Sequence, residues 1–335
     1  MAQTAETELS APSPAQADVA IVFVAYRAAA VIRDCLPTVM ANLDSLSCQV
    51  ILVDNDSQDG TVEYVREAYP AIQVIEMGWN AGFARANNEA IAAANARHVL
   101  LLNTDVKFHG DALGPLVRHL DENPQVAAVS PGMVDGEGRV IAAGREVPRW
   151  YTPLEGSVRE LLGGKAWALR RLANQRKGRR DQVAQAGHVD GEPVDTDWVP
   201  MACTMISGGA LARVGKLDPR YFTFFEDVDW CTRARNAGLK VRVIPSVVVT
   251  HLVGGGQRRS PRAMRAYVEA EYQYYKDHDG RALGFVRGTL LLRVLGGLPR
   301  TLAGLPFDKT RKEELAVRKH LLKGLLTPGW DPAGQ

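Results

Sequence analysis

Short apolar runs alternate with amphipathic stretches over the first 130 residues, and their spacing predicts strand and helix in turn. A first strand falls at 20–25. Ile32, Leu36, Val39, Met40 and Leu43 then share one helical face. Further strands are expected at 50–53, 73–76, 98–102 and 126–130, with helices at 61–69, 84–94 and 112–120 between them. Strands spaced regularly by helices make a parallel, right-handed, doubly wound sheet the simplest topology. The rhythm breaks after Ser130. Residues 134–138 (VDGEG) read as a hairpin turn, and 145–197 carry little strand signal. Regular pattern returns with a strand at 198–206, helices at 208–214 and 226–237, and strands at 241–244 and 247–250. Beyond Pro261 the chain reads as helical.

Composition changes this picture little. A chain of 335 residues holds one large α/β domain with additions, or two domains. With 46% hydrophobic and 23% charged residues it has an ordinary globular core, and a net charge of +2 gives no general drive toward nucleic acid. Cys35, Cys48, Cys203 and Cys231 form no CxxC spacing and read as reduced core thiols of a cytoplasmic protein. Residues 1–17 are polar, without the apolar centre of a signal peptide, and are expected to be a disordered tail.

Two basic regions stand out. Residues 159–180 carry eight Lys or Arg against Glu160, which suits either a solvated, mobile insertion or contact with an anionic acceptor or membrane. Residues 283–298 are mostly apolar but contain Arg287 and Arg293, so they are too short and too charged to span a bilayer. With the basic residues that follow they resemble surface helices, whose Leu290, Leu291, Val294 and Leu295 would insert shallowly at the inner membrane face. Packing back onto the domain, or a homodimer interface, accounts for the same pattern.

The chemistry concentrates where apolar runs end. VILVDNDSQDGT (50–61) and LLLNTDV (100–106) both stop abruptly in carboxylate-bearing turns, which delivers polar groups to the carboxyl end of a sheet, where open α/β folds bind ligands. Asp54 and Asp56 exceed what an Asx turn with Ser57, Asp59 and Gly60 requires, so they suit a nucleobase or ribose. Asp105 can supply a carboxylate to a hard divalent cation at a diphosphate, although a lone Asn-x-Asp is also a common turn. Glu226 and Asp227 follow the aromatic run YFTFF (221–225), which would desolvate a carboxylate toward the range of a general base; an acidic first helical turn is the plainer reading. His251 precedes Gly254, Gly255 and Gly256 and then Arg258 and Arg259, a set suited to a diphosphate. Asn80, Gly82 and Arg85 open an alanine-rich helix whose positive end would face a nucleotide, or else form a glycine turn before a packed helix.

In this order and spacing, VDNDSQDGT, NAGFARANN, LLLNTDV, FFEDVDWCTRARNAG and the VIPSVVVTH run resemble the inverting nucleotide-sugar glycosyltransferases of family 2, with the GT-A fold, over about residues 19–256. The segment VGKLDPRYFTFFEDVDWCTR looks most like their rhamnosyltransferase-like branch. The resemblance implies a nucleotide-sugar half at 18–131, an acceptor half at 198–256 and a helical region at 257–335. It implies that Ala25, Tyr26 and Asp54 hold base and ribose with Asp56 nearby, and that Asn103 and Thr104 flank the donor. Asp105 and His251 would bind Mg²⁺ or Mn²⁺, Asp227 would deprotonate the acceptor hydroxyl, and Glu226 would orient it. The donor would be dTDP-rhamnose or a UDP-sugar, and the acceptor a glycan or lipid-linked hydroxyl. The metal motif departs from the family in reading Asn-Thr-Asp where Asp-x-Asp is usual, one anionic ligand fewer. A sugar nucleotidyltransferase is a weaker match, because Ala25 to Ala30 lacks the glycine-rich loop of that class. An inactive carbohydrate-binding scaffold fits poorly with the presence of both Asp105 and Asp227.

Overall fold

The computed structural model describes residues 16–43, 46–141, 143–148, 152–154, 191–252, 260–303 and 309–332. The expected tail up to residue 15, the basic segment 159–180 and the loop with Arg258 and Arg259 lie outside the described residues. The strands are β1 (Ala17–Ala25), β2 (Cys48–Asp54), β3 (Gln73–Glu76), β4 (Ala96–Asn103), β5 (Val106–Phe108), β6 (Val126–Val134), β7 (Val140–Ile141), β8 (Val194–Thr196), β9 (Cys203–Ser207) and β10 (Lys240–His251). The helices are α1 (Ala29–Met40), α2 (Thr61–Ala68), α3 (Phe83–Ala93), α4 (Leu113–Glu122), α5 (Gly208–Val214), α6 (Glu226–Asn236), α7 (Pro261–His278), α8 (Leu283–Gly296), α9 (Leu298–Ala303) and α10 (Lys309–Leu326).

All the strands join one sheet in the order β3-β2-β1-β4-β9-β6-β10-β5, with β7 beside β6 and β8 beside β10. β3, β2, β1 and β4 run parallel, as expected from the strand–helix alternation. β6 and β10 are also parallel, while β9 lies antiparallel between β4 and β6. The sheet is therefore mostly parallel with a mixed second half. Val19, Ala20, Ile21, Val22 and Phe23 of β1 are fully buried because helices cover both faces, which is why the strand reads as an unbroken apolar run.

Several boundaries move for physical reasons. β1 begins at Ala17, inside the stretch read as tail. The strand expected at 198–206 starts only at Cys203; Pro200 lacks an N–H, and Trp198 instead bridges Arg145. The two strands expected at 241–244 and 247–250 are one, with a register shift between Ile244 and Val248 around Pro245. β8 lies in the stretch read as poor in strand, and three-residue β5 carries too short a pattern to be seen. The 134–138 turn does close a hairpin: Asp135 N–H donates to the Arg139 carbonyl at 2.9 Å, and Gly138 takes φ +77°.

The C-terminal helices gather a second apolar cluster from α7, α8 and α10, completed by Tyr221, Phe225 and Val228. Of the four side chains expected to enter a bilayer, Leu290 and Val294 are buried in it and face the protein, Leu291 is partly buried, and Leu295 is exposed. Among the described residues, no helix is long and apolar enough to cross a membrane. The cysteines are free, and burial pushes the thiols of Cys35 and Cys48 up to about 11 and that of Cys231 up to about 12.

The buried cluster predicts a stability contrast. Leu290→Ala should cost about 2–5 kcal/mol, the range for a core leucine. Leu326→Ala, at a side chain 65% exposed, should stay within about 0.5 kcal/mol of wild type. Urea midpoints at constant slope measure both.

Candidate active site

β2 ends in Asp54, whose carboxylate is buried at the sheet's carboxyl edge. Its Oδ2 accepts from the Ser57 N–H at 3.1 Å, while its Oδ1 is buried with no hydrogen-bond partner among the described residues. A buried, unsatisfied carboxylate oxygen is costly, so this atom is aimed at a donor the chain does not supply. Ser57 and Asp59 have local roles: the Ser57 hydroxyl accepts from Arg27 N–H, and Asp59 accepts from Ala29 and Thr61, tying α1 to α2. Asp56, half-buried with φ +64°, accepts from Gln58. Ala25 is buried and Tyr26 is exposed beside it.

Asn55 links this edge to the loop before α3. Its N–H donates to the Ala25 carbonyl at 2.8 Å, its side-chain amide donates to the Gly82 carbonyl at 3.1 Å, and its Oδ1 accepts from Ala81 N–H at 3.3 Å. Asn80 Oδ1 accepts from Gly82 N–H at 3.1 Å. Gly82 sits at φ +82°, and a Cβ there would collide with the backbone of Phe222. Phe83 N–H donates to that Phe222 carbonyl at 2.6 Å. Arg85, expected near a nucleotide, is exposed and donates from Nε to the Pro219 carbonyl at 3.2 Å.

The second half of the site begins where Phe224 and Phe225 adopt φ +71° and +65°. Two successive non-glycine residues in the left-handed region cost of order 1–3 kcal/mol each. The turn delivers Glu226 and Asp227 to the first positions of α6. Glu226 is buried, its Oε2 lacks a hydrogen-bond partner among the described residues, and its carboxyl is held well above the ordinary value, first by burial and then by the charge of Asp227. Asp227 is half-buried, and its Oδ1 accepts from Val228 N–H at 2.8 Å.

β4 and β10 bring a third pair together across 146 residues of sequence. Nε2 of His251 lies 3.1 Å from Oδ1 of Asp105, both side chains being largely covered, and Leu252 N–H donates to the Asp105 carbonyl at 2.9 Å. Asn103 and Thr104 precede them in the turn after β4, and Asn103 N–H donates to the Ala202 carbonyl. One carboxylate and one imidazole suit a divalent cation such as Mn²⁺ that keeps its other positions for phosphate oxygens and water. Among the described residues, no group of three or more candidate ligands occurs. Sequence reasoning missed the bridging of Asn55 and the docking of Phe222, since neither residue type announces which distant loop it meets.

Residues 20–172 match the sequence model described as Glycosyl transferase family 2. The chain is 28% identical over 261 residues to N-acetylglucosaminyl-diphospho-decaprenol L-rhamnosyltransferase of Mycobacterium tuberculosis, spanning 74% of this chain and 80% of that protein. It is 24% identical over 226 residues to dTDP-rhamnosyl transferase RfbF of Shigella flexneri, spanning 65% and 64%. Its fold matches the mannosyltransferase PcManGT of Pyrobaculum calidifontis, solved with GDP-Man and Mn²⁺, at TM-score 0.52 and 17% identity over 92% of this chain and 86% of that one. It also matches GalNAc-T7, solved with UDP, GalNAc and Mn²⁺, at TM-score 0.53 and 15% identity over 93% of this chain, which spans 56% of that longer chain. These likenesses bear out a mostly parallel sheet of the GT-A type.

Burial of Glu226 predicts a pH dependence. Because its folded pKa is raised, the unfolded state releases the proton first, and folding stability falls as pH rises from about 4.3 toward the folded value. Glu226→Gln removes that loss. Its stability relative to wild type should therefore climb with pH from about pH 5 to pH 8, read from urea midpoints at each pH; a constant offset would contradict a buried, protonated Glu226.

Proposed function

Because the chain belongs to the family 2 glycosyltransferases and has rhamnosyltransferase relatives, we propose that it transfers a deoxyhexose of the dTDP-rhamnose type, or a UDP-activated sugar, to a hydroxyl of a glycan or lipid-linked acceptor, inverting the anomeric carbon. The observation that carries this reading is the meeting of Asp105 with His251, a carboxylate and an imidazole that together could hold a divalent cation at a diphosphate. Asp54, through its unpartnered oxygen, accepts from the nucleobase or ribose, and Tyr26 flanks it. Arg258 and Arg259 lie close behind His251 in sequence and are assigned to the diphosphate. When bound at Asp105 and His251, Mg²⁺ or Mn²⁺ supplies positive charge against the leaving diphosphate.

The chemistry is one displacement. The acceptor oxygen forms its bond to the anomeric carbon as the bond to the diphosphate oxygen breaks, and the electron pair leaves with the diphosphate. Asp227 takes the hydroxyl proton. Glu226, buried and with its carboxyl held above the ordinary value, sits beside Asp227 and orients the turn that carries it. No covalent sugar–enzyme intermediate forms, so no carboxylate nucleophile is needed.

A membrane contact is supported by a surface that keeps Leu295 and the lysines of the sequence reading but replaces the buried Leu290 and Val294. The outward face of α8 presents Gly284, Phe285, Gly288, Leu292 and Leu295, while α10 presents Lys312, Lys319 and Lys323. An apolar face near a lysine stripe matches an anionic bilayer, which would bring the enzyme to a lipid-linked acceptor at the cytoplasmic face.

Two outcomes test these readings. Screening dTDP-, UDP- and GDP-sugars by thermal shift identifies the donor; with it, Asp227→Asn should lose about 10²–10⁴-fold in turnover while keeping nucleotide affinity, and Asp105→Ala should lose the Mn²⁺ dependence of nucleotide binding seen by calorimetry. Wild-type turnover in the first variant would remove Asp227 as base. For the membrane, the protein should co-sediment with anionic vesicles at low salt and be released at high salt, each lysine adding about 1 kcal/mol, and Phe285→Glu with Leu292→Glu should abolish binding. Equal recovery in the supernatant at both salt levels would remove the membrane reading.

A further inference from the structure

We infer that Tyr267 of α7 is a positioning residue for the Glu226-Asp227 turn, which makes the C-terminal helices part of the acceptor side of the site. The inference rests on the assignment of Asp227 as the base. A turn built from two left-handed phenylalanines persists only if its surroundings over-determine it. Tyr267 does this directly: its ring meets Phe224 edge-on at 5.7 Å and Phe225 edge-on at 5.4 Å between centroids. Tyr274 adds a tilted contact to Phe225 at 5.5 Å.

The remaining contacts fix α6 beneath the turn. Tyr267, Tyr274 and His278 are spaced seven and four residues apart, so they form one stripe of α7. The Tyr274 hydroxyl lies 3.1 Å from that of Thr232, and His278 Nε2 lies 2.7 Å from Oδ1 of Asp229, whose other oxygen accepts from Arg233 at 2.9 Å. Tyr267 is itself fixed. The Arg293 guanidinium of α8 stands 5.9 Å from its ring centre and pairs with Glu271, one turn further along α7. A continuous line of contacts thus runs from α8 through Tyr267 to the backbone that carries Asp227. None of α7 falls within residues 20–172, the part that matches the family.

Asp227 follows Phe225 by two residues, so a change in the φ of Phe225 swings its carboxylate bodily. A displacement of about 1 Å at a reacting group costs on the order of 10²-fold in rate. Tyr267→Ala should therefore lower kcat by about ten- to a hundredfold while leaving the stoichiometry and affinity for nucleoside diphosphate with Mn²⁺ unchanged by calorimetry. Tyr267→Phe, which keeps the ring, should restore near wild-type kcat. Leu290→Ala, a cavity in the same helical cluster away from the turn, serves as the control for general destabilisation and should keep kcat. The inference is overturned if Tyr267→Ala retains kcat per nucleotide-binding site within about twofold, or if Leu290→Ala loses as much. Asp227→Asn, assayed in parallel, separates the two levels: wild-type turnover in that variant overturns the base assignment and this inference with it, whereas a dead Asp227→Asn beside a fully active Tyr267→Ala overturns the positioning role alone.

Discussion

The two halves of this site meet at one backbone hydrogen bond, from Phe83 N–H to the Phe222 carbonyl, and that bond exists only because residue 82 has no side chain. On one side of it, Asn55 ties the loop to the ends of β1 and β2, where Asp54 waits with an unpartnered oxygen. On the other side, two residues lead from Phe222 into the left-handed turn and the carboxylates of α6. The asparagine of α3 at position 88 repeats the stitch one turn further on, exchanging hydrogen bonds with both backbone groups of Leu217. The separation between the edge at Asp54 and the carboxylates of α6 is thereby set by a short, hydrogen-bonded path rather than by a flexible linker.

The second apolar cluster carries the same logic into the C-terminal helices. Tyr221, Phe225 and Val228 lie in or just before α6, yet they pack with α7, α8 and α10. Aromatic pairs of this geometry contribute about 0.5–1.5 kcal/mol each beyond their buried area, the same order as the strain of a left-handed phenylalanine. Packing and strain therefore offset each other locally, and the turn is held by neighbours rather than by its own preference. It also explains why Leu290 and Val294 cannot serve a bilayer: their surface is already packed into the second apolar cluster.

Much of this was legible in the sequence. The β1, β2 and β4 runs are apolar on both faces, which points to a parallel, helix-covered sheet, and the abrupt stops at Asp54 and Asn103 mark its carboxyl edge. The five motifs in order carried the family. What the sequence hid depends on pairing between distant segments. β9 inserts antiparallel between β4 and β6 because its partners complete the sheet there, not because its own five residues say so. Arg85 carries a charge suited to a nucleotide, yet it donates to the Pro219 carbonyl, a partner 134 residues away. Likewise the stripe of Tyr267, Tyr274 and His278 is visible as helical spacing, but nothing in that spacing names α6 as the surface it meets.

The neighbouring carboxylates show how one turn produces two different acids. Glu226 and Asp227 are adjacent in the chain and share the positive end of the same helix. Backbone direction separates them: Glu226 turns into the protein, where water cannot reach its charge, and Asp227 stays half-exposed with a backbone N–H on one oxygen. Two like charges side by side would each weaken the other, and the charge of the second group, Asp227, adds to burial in holding the Glu226 carboxyl above its ordinary value. On the proposed reading, that second group is the one the acceptor hydroxyl meets. The arrangement follows the left-handed turn, whose two phenylalanines lead the chain into α6. On the same reading, the strained turn at Phe224 and Phe225 is what brings the proposed base, Asp227, to the first turn of α6.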